Sequence, residues 1–124
     1  MKVATWNINS VRLRAPLATR LLAEEQPDVL CLQETKCPDD AFPAKRFKRL
    51  GYEHVALNGQ KGYHGVAIVS KFPLGDISSR VFCGIADSRH ISATLDFGRG
   101  PLTVHNFYIP AGGDEPDPET NPKF

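Results

Sequence analysis

The sequence predicts an α/β fold. Three features predict it: a strand–helix–strand pattern near the amino terminus, a run of alternating strand-like segments after residue 52, and polar residues at the ends of both early strands. At 124 residues, 41% hydrophobic and 23% charged, the chain has the size and composition of one globular domain and not of a disordered segment. A formal net charge of +1 supplies no global field, so any nucleic-acid affinity must come from a local basic patch. Cys31, Cys37 and Cys83 form an odd set without paired zinc spacing, which fits a reducing compartment. No apolar run reaches membrane-spanning length, and Asn7-Ile8-Asn9-Ser10 interrupts anything resembling a signal peptide. The chain is therefore expected in the cytoplasm, with no membrane partner.

In chain order, residues 2–9 alternate well enough for a strand and end polar, at Asn7, Asn9 and Ser10. From Ala15 the period changes: Leu17, Ala18, Leu21 and Leu22 share one helical face, with Pro16 at a tolerated first-turn position and Pro27 soon after the end. Residues 28–32 form the second strand. Strand, helix and strand of this length read as a parallel unit, which places both polar ends at one sheet edge. Residues 37–50 hold a loop and a short helix ending at Gly51; the cations Lys45, Arg46, Lys48 and Arg49 read as a solvated face or as phosphate contacts. Residues 52–57 are a strand, 58–65 a glycine-rich connection and 65–70 a strand stopped by Phe72-Pro73-Leu74-Gly75. Within residues 76–88 the best local strand is Val81-Phe82. Residues 89–97 and 102–109 form a hairpin across Gly98-Arg99-Gly100-Pro101. The fifteen residues from 110 to 124 contain four prolines and four acids, a composition for a long loop or an acidic tail rather than a packed element.

The stretch Leu32-Gln33-Glu34-Thr35-Lys36 is the chemical focus of this pattern. A buried strand delivers four polar residues at its carboxyl end, where open α/β sheets bind ligands, and a carboxylate there suits a hard cation such as Mg²⁺. A solvated strand exit with a surface Glu is the plainer reading of the same spacing.

Four stretches in order resemble the exonuclease III family of AP endonucleases, within the endonuclease/exonuclease/phosphatase superfamily. They are Trp6-Asn7-Ile8-Asn9-Ser10-Val11-Arg12, the run from Gln26 to Lys36, the run from Gly59 to Ile68, and Asn106-Phe107-Tyr108-Ile109-Pro110. The resemblance implies a DNase I-like two-sheet α/β sandwich, a mixed sheet with flanking helices, of which residues 1–109 are the amino-terminal half and residues 110–124 a loop or truncated tail. It implies Mg²⁺ (or Mn²⁺) held by Glu34, with Asn7 and Tyr108 at the scissile phosphate. Asn9, at a position acidic in some relatives, lies near the metal; Gln33 and Lys36 are supporting residues; Arg12, Lys61 and Tyr63 lie in loops used on the DNA backbone. The implied substrate is double-stranded DNA with abasic sites or 3′ ends, cut to leave a 3′-hydroxyl by an enzyme that is monomeric at full length. The chemistry needs a Lewis acid, charge stabilisation and a base for water.

The family's later motifs, Gly-Asp-x-Asn, an Asp in the DNA-binding region and a closing Ser-Asp-His, do not occur: Gly75-Asp76 continues Ile77-Ser78. Ala111 stands where many relatives carry an amide. His54, His64, His90 and His105 fall outside the motif positions and read as structural or surface residues. The expectation is an incomplete, nearly inactive half with one sheet face bare and an open strand edge. A DNA-binding fragment without turnover and a phosphoesterase acting on a non-DNA substrate, such as a phosphoinositide, are the competing readings.

Overall fold

Val29 to Leu32 are apolar without a break, the pattern of a strand covered on both faces. They form the centre of the computed structural model, which describes residues 1–81, 87–110 and 119. β1 (Val3–Asn7), α1 (Val11–Glu25) and β2 (Val29–Gln33) make the predicted parallel unit, with Val3 opposite Val29 and Asn7 opposite Gln33. The chain continues through a 3₁₀ turn (Asp39–Ala41) and α2 (Ala44–Lys48) to β3 (His54–Asn58) and β4 (Val66–Ser70). The first sheet has the order β1-β2-β4-β3, with β4 antiparallel to both neighbours. It is mixed, as expected. β5 (Gly75–Ser78), β6 (His90–Asp96) and β7 (Pro101–Phe107) form a second, antiparallel sheet.

Helix α1 starts four residues earlier than the sequence predicts, so Pro16 lies inside it and not in its first turn. The reason is tertiary. The Ser10 and Val11 amides donate to the carbonyls of Glu34 and Thr35 (2.8 and 3.1 Å), and Ser10 Oγ caps the Leu13 amide at 3.4 Å. The buried stripe is Val11, Ala15, Ala18 and Leu22, whereas Leu17 is 54% exposed. The helix closes on Gln26 in the left-handed conformation, followed by Pro27.

The second correction concerns residues 72–82. The strand is Gly75–Ser78; Val81 lies outside any strand, and Phe82 falls outside the described residues. All four β5 residues are exposed, so no hydrophobic alternation marks them. Backbone pairing and the Ser78–Ser92 hydroxyl contact (2.9 Å) hold the strand instead. The β6–β7 hairpin keeps register from His90–Phe107 to Asp96–Pro101 around the predicted glycine turn, with Gly98 and Gly100 at positive φ.

One core lies between the first sheet and its helices, where Leu30, Leu32, Ala67 and Val69 meet Ile8, Val11, Leu22, Phe47 and Tyr52. A second lies between the sheets, where Val29, Cys31, Ala56, Val66 and Ile68 meet Ile91, Ala93 and Leu95. The first sheet's inner face is thus covered over β2, β3 and β4, against the expectation of a bare face; exposure concentrates on β1, where Val3 is 49% exposed. Among the described residues β1, β3, β5 and β7 each pair on one side only, so open edges are present. No helix among them is long and apolar enough to cross a membrane. The proline- and acid-rich stretch after Pro110 lies almost entirely outside the described residues, as does Cys83.

Candidate active site

The loop after β2 is held from both sides. Its carbonyls, Glu34 O and Thr35 O, accept from the start of α1, and its amides, Thr35 N and Lys36 N, donate to Gly65 O and His64 O (3.1 and 2.8 Å). Thr35 is buried against Gly65, where an added Cβ would lie 2.1 Å from Thr35 Oγ1; only glycine fits there. The loop takes an unusual backbone: Glu34 has φ 56° and Lys36 φ 55°. A non-glycine residue held there costs about 1–3 kcal/mol, a cost the surrounding bonds offset and one that clusters at functional positions.

This backbone presents the Glu34 side chain to Tyr108, the residue that follows β7, and to Asn7, the last residue of β1. Tyr108 Oη donates to Glu34 Oε1 at 2.6 Å. That hydrogen bond holds the Glu34 carboxyl below its ordinary range, the Asn7 side chain and Lys36 adding to it against the opposing effect of burial. The same bond raises the Tyr108 phenol, because ionisation would set two anions together. At neutral pH the pair is a carboxylate and a neutral phenol donor.

Behind Tyr108 stands a second polar group. Asp87 pairs with Arg89 Nε, and the Arg89 guanidinium lies over the Tyr108 ring, 4.7 Å from its centroid. Arg89 also meets His64 Nε2 at 3.2 Å. Arginine can only donate, so His64 Nε2 accepts, and Nδ1 faces the Gln60 oxygen at 3.4 Å. Burial first, and then Arg89, lower the His64 pKa, over the opposing pull of Asp87 and Glu34. His64 is a neutral strut, with its acceptor nitrogen occupied.

Gln33 and Asn106 tie the two sheets together beneath the site. Asn106 is buried; its Nδ2 donates to Leu32 O and Ala67 O (2.9 and 2.8 Å), and its Oδ1 accepts from Gln33 Nε2 (2.7 Å). Gln33 Nε2 also reaches Thr5 Oγ1 at 2.9 Å. Every polar atom of the Asn106 amide is used.

Of the residues named from sequence, the structure brings Asn7, Glu34 and Tyr108 into one cluster. Asn9 and Lys36 form a second contact beside it, Lys36 Nζ donating to Asn9 Oδ1 at 2.5 Å. Gln33 points to the Asn106 link. Arg12, Lys61 and Tyr63 stand exposed around this edge; Tyr63 packs edge-on against His64, and Arg12 partly opposes the rise that burial gives the Cys37 thiol pKa. Sequence reasoning set His64 aside as structural or surface and gave no role to Asp87, Arg89 or Asn106. Asn106 was within reach, since 102, 104, 106 and 108 alternate and a polar residue on that inner face needs a partner. Asp87 and Arg89 carry no periodic signal.

The Endonuclease/Exonuclease/phosphatase family profile matches residues 4–122. The chain belongs to this family. It is 39% identical over 121 residues to exodeoxyribonuclease III of Haemophilus influenzae, covering 90% of this chain and 42% of that protein. A DNA-(apurinic or apyrimidinic site) endonuclease of Dictyostelium discoideum is 30% identical over 115 residues, 91% of this chain and 31% of its own length. Among solved structures, the 3′ phosphatase NExo from Neisseria, bound to a product DNA hairpin, superposes with a TM-score of 0.85 at 37% identity, covering 99% of this chain and 47% of that one. An AP endonuclease from Archaeoglobus fulgidus gives a TM-score of 0.85 at 37% identity, with 99% and 46% covered. The chain therefore spans less than half the length of these family members. Its two-sheet α/β architecture is theirs.

Whether these residues suit a divalent cation follows from the donor set. Among the described residues no three His, Cys, Asp or Glu side chains converge, so a closed transition-metal cage is not formed by them. A single ionised carboxylate with amide and phenol neighbours fits Mg²⁺, which keeps most of its water and takes one or two carboxylates.

Proposed function

We propose that this cluster takes part in hydrolysing phosphodiester bonds of duplex DNA, at abasic sites or at 3′ ends, as in the exodeoxyribonuclease III type of repair enzyme. The observation that carries the reading is the Tyr108–Glu34 hydrogen bond, with Asn7 beside it, at the shared end of two parallel strands. Glu34, kept ionised, would hold Mg²⁺ or Mn²⁺ with water completing the shell. The cation, when bound, would polarise a phosphoryl oxygen and offset the charge that develops there.

The chain's own groups have separate tasks. Tyr108 donates its O–H to Glu34 Oε1 before substrate arrives and can turn the same O–H to a phosphoryl oxygen afterwards. Arg89 beneath the ring and Asp87 beneath Arg89 fix the ring's place. Asn7 orients the carboxylate through its amide. Asn9 and Lys36 flank the cation position, and Arg12, Lys61 and Tyr63 stand where a DNA backbone would pass, contacts that would be salt-dependent. His64 does not serve as the base for water, since its Nε2 is committed to Arg89. The buried, unpaired thiols of Cys31 and Cys37 suit a reducing, cytoplasmic setting, and we take the working unit to be a monomer.

The Neisseria relative acts as a 3′ phosphatase, so a 3′-phosphate terminus is a second substrate to be compared. The experiment has two parts. Added Mn²⁺ should broaden the amide resonances of Asn7, Glu34 and Tyr108, and Glu34→Gln should remove that broadening. Mg²⁺-dependent nicking of an abasic duplex and release of phosphate from a 3′-phosphate hairpin should both be slow in the 124-residue chain and fall by a further ~10²-fold or more in Glu34→Gln. Turnover that survives this substitution would rule the assignment out.

A further inference from the structure

Between α1 and α2, away from the Glu34 cluster, lies an open hollow of about 300 Å³ lined by Thr19, Arg46, Arg49 and Leu50. Arg46 and Arg49 stand three residues apart and so share one side of the α2 turn, and Phe47 anchors that turn in the core with no exposure. Residues 41–52 contain four cations and no acid. Neither arginine forms an ion pair with another described residue, whereas Arg20, on the neighbouring helix, is neutralised by Glu24 at 2.8 Å. A chain with a net charge of only +1 thus concentrates uncompensated guanidinium groups at one concave place.

We infer that this hollow is a phosphate-binding subsite for the sugar–phosphate backbone of a polynucleotide. The inference rests on the DNA reading of the Glu34 cluster for its direction. Two arginines lining one hollow supply guanidinium forks of the kind that match the oxygens of a phosphate group. Arg12, at the cluster's edge, and Thr19, in the hollow, are seven residues apart and lie on one stripe of α1, roughly 10 Å along its axis. That is about three nucleotide steps at ~3.4 Å of axial rise each. A strand leaving the Glu34 cluster past Arg12 therefore meets Arg46 and Arg49 after a short run. The subsite holds flanking backbone, with no base readout.

The test uses a fluorescein-labelled duplex and a salt series, with Arg46→Gln/Arg49→Gln against wild type and Arg20→Gln as a control that removes a cation outside the hollow. The double variant should bind roughly tenfold more weakly at low salt, and its salt slope should shrink by about 1–2, the value for one or two lost phosphate contacts. Arg20→Gln should leave the slope within about 0.3 of wild type, because Glu24 already compensates that charge. Separately, inorganic pyrophosphate should shift the Nε–H resonances of Arg46 and Arg49 saturably. An unchanged slope in the double variant, or no saturable shift at those two side chains, overturns the inference while leaving Glu34-dependent metal binding untouched. Conversely, loss of the Glu34 reading would not move the pyrophosphate shifts, so the two failures are distinguishable.

Discussion

β1 and β2 are parallel neighbours of five residues each, joined in register, yet they are built differently. β2 is buried at every position but its last; β1 alternates between half-buried and exposed, and Val3 is 49% exposed. The second sheet repeats the contrast, with β6 buried along most of its length and β7 mostly exposed. The molecule is a well-covered slab of β2, β4 and β6 with thinly covered flanks at β1 and β7. The candidate active site straddles the boundary: Glu34 leaves the slab, whereas Asn7 ends one flank and Tyr108 follows the other. The slab's geometry is fixed by packing on both faces, whereas the flanks pack through a few side chains, Ala4 and Trp6 on one and Val104 on the other, and rely more on hydrogen bonds.

The largest expected effect separates slab from flank directly. Leu32→Ala should cost about 3 kcal/mol in denaturant unfolding, and Val3→Ala less than about 1 kcal/mol, because only the first leaves a cavity. Equal losses would mean that β1 is as well supported as β2. Asn106→Ala comes next, at about 2 kcal/mol. It strips a buried amide from two slab carbonyls and from Gln33, and it should speed amide hydrogen exchange in β7 more than in β4. Exchange rising equally in both would show that this side chain does not tie flank to slab.

A smaller effect should follow from Tyr108→Phe, about 1 kcal/mol or less, since the bond is half exposed. The informative readout is the Glu34 carboxyl titration by ¹³C NMR, whose midpoint should rise towards the ordinary glutamate range once its principal donor is gone. The Glu34 contribution is present above the unfolded-state pKa and lost as pH falls through the lowered folded value. The smallest effect concerns His64. Its folded pKa lies below the ordinary value, so the folded state resists protonation; stability is full above about 6.5 and declines as pH falls through the lowered folded pKa. His64→Gln should flatten that decline, measured as the unfolding midpoint between pH 7.5 and 5. A decline unchanged by the substitution would assign it to another group.

The slab and both flanks were legible in the sequence as strands, and β5 and the start of α1 were not. Val29–Leu32 and Val66–Val69 are apolar without interruption, which only a strand covered on both faces requires. The parallel unit and the Gly98–Gly100 hairpin followed from local pattern and turn chemistry, and so did the placing of Asn7 and Glu34 at one edge. β5 was missed because four exposed residues carry no pattern. The helix start was missed because it is set by carbonyls at Glu34 and Thr35, more than twenty positions away. The same holds for Arg89, which gains a role only when hairpin register lays it on Tyr108.

Sequence by itself determined which residue types end which strands, because the period of a strand and the burial of an apolar run are local properties. Tertiary structure decided what those residues do to one another: that Tyr108 would reach across 74 positions to Glu34 Oε1, that His64 would be a strut between Arg89 and Gln60, and that Arg46 and Arg49 would face Thr19 across a hollow. Such contacts depend on crossing elements at ångström separations, and no periodicity along one chain encodes a distance between two of its distant parts.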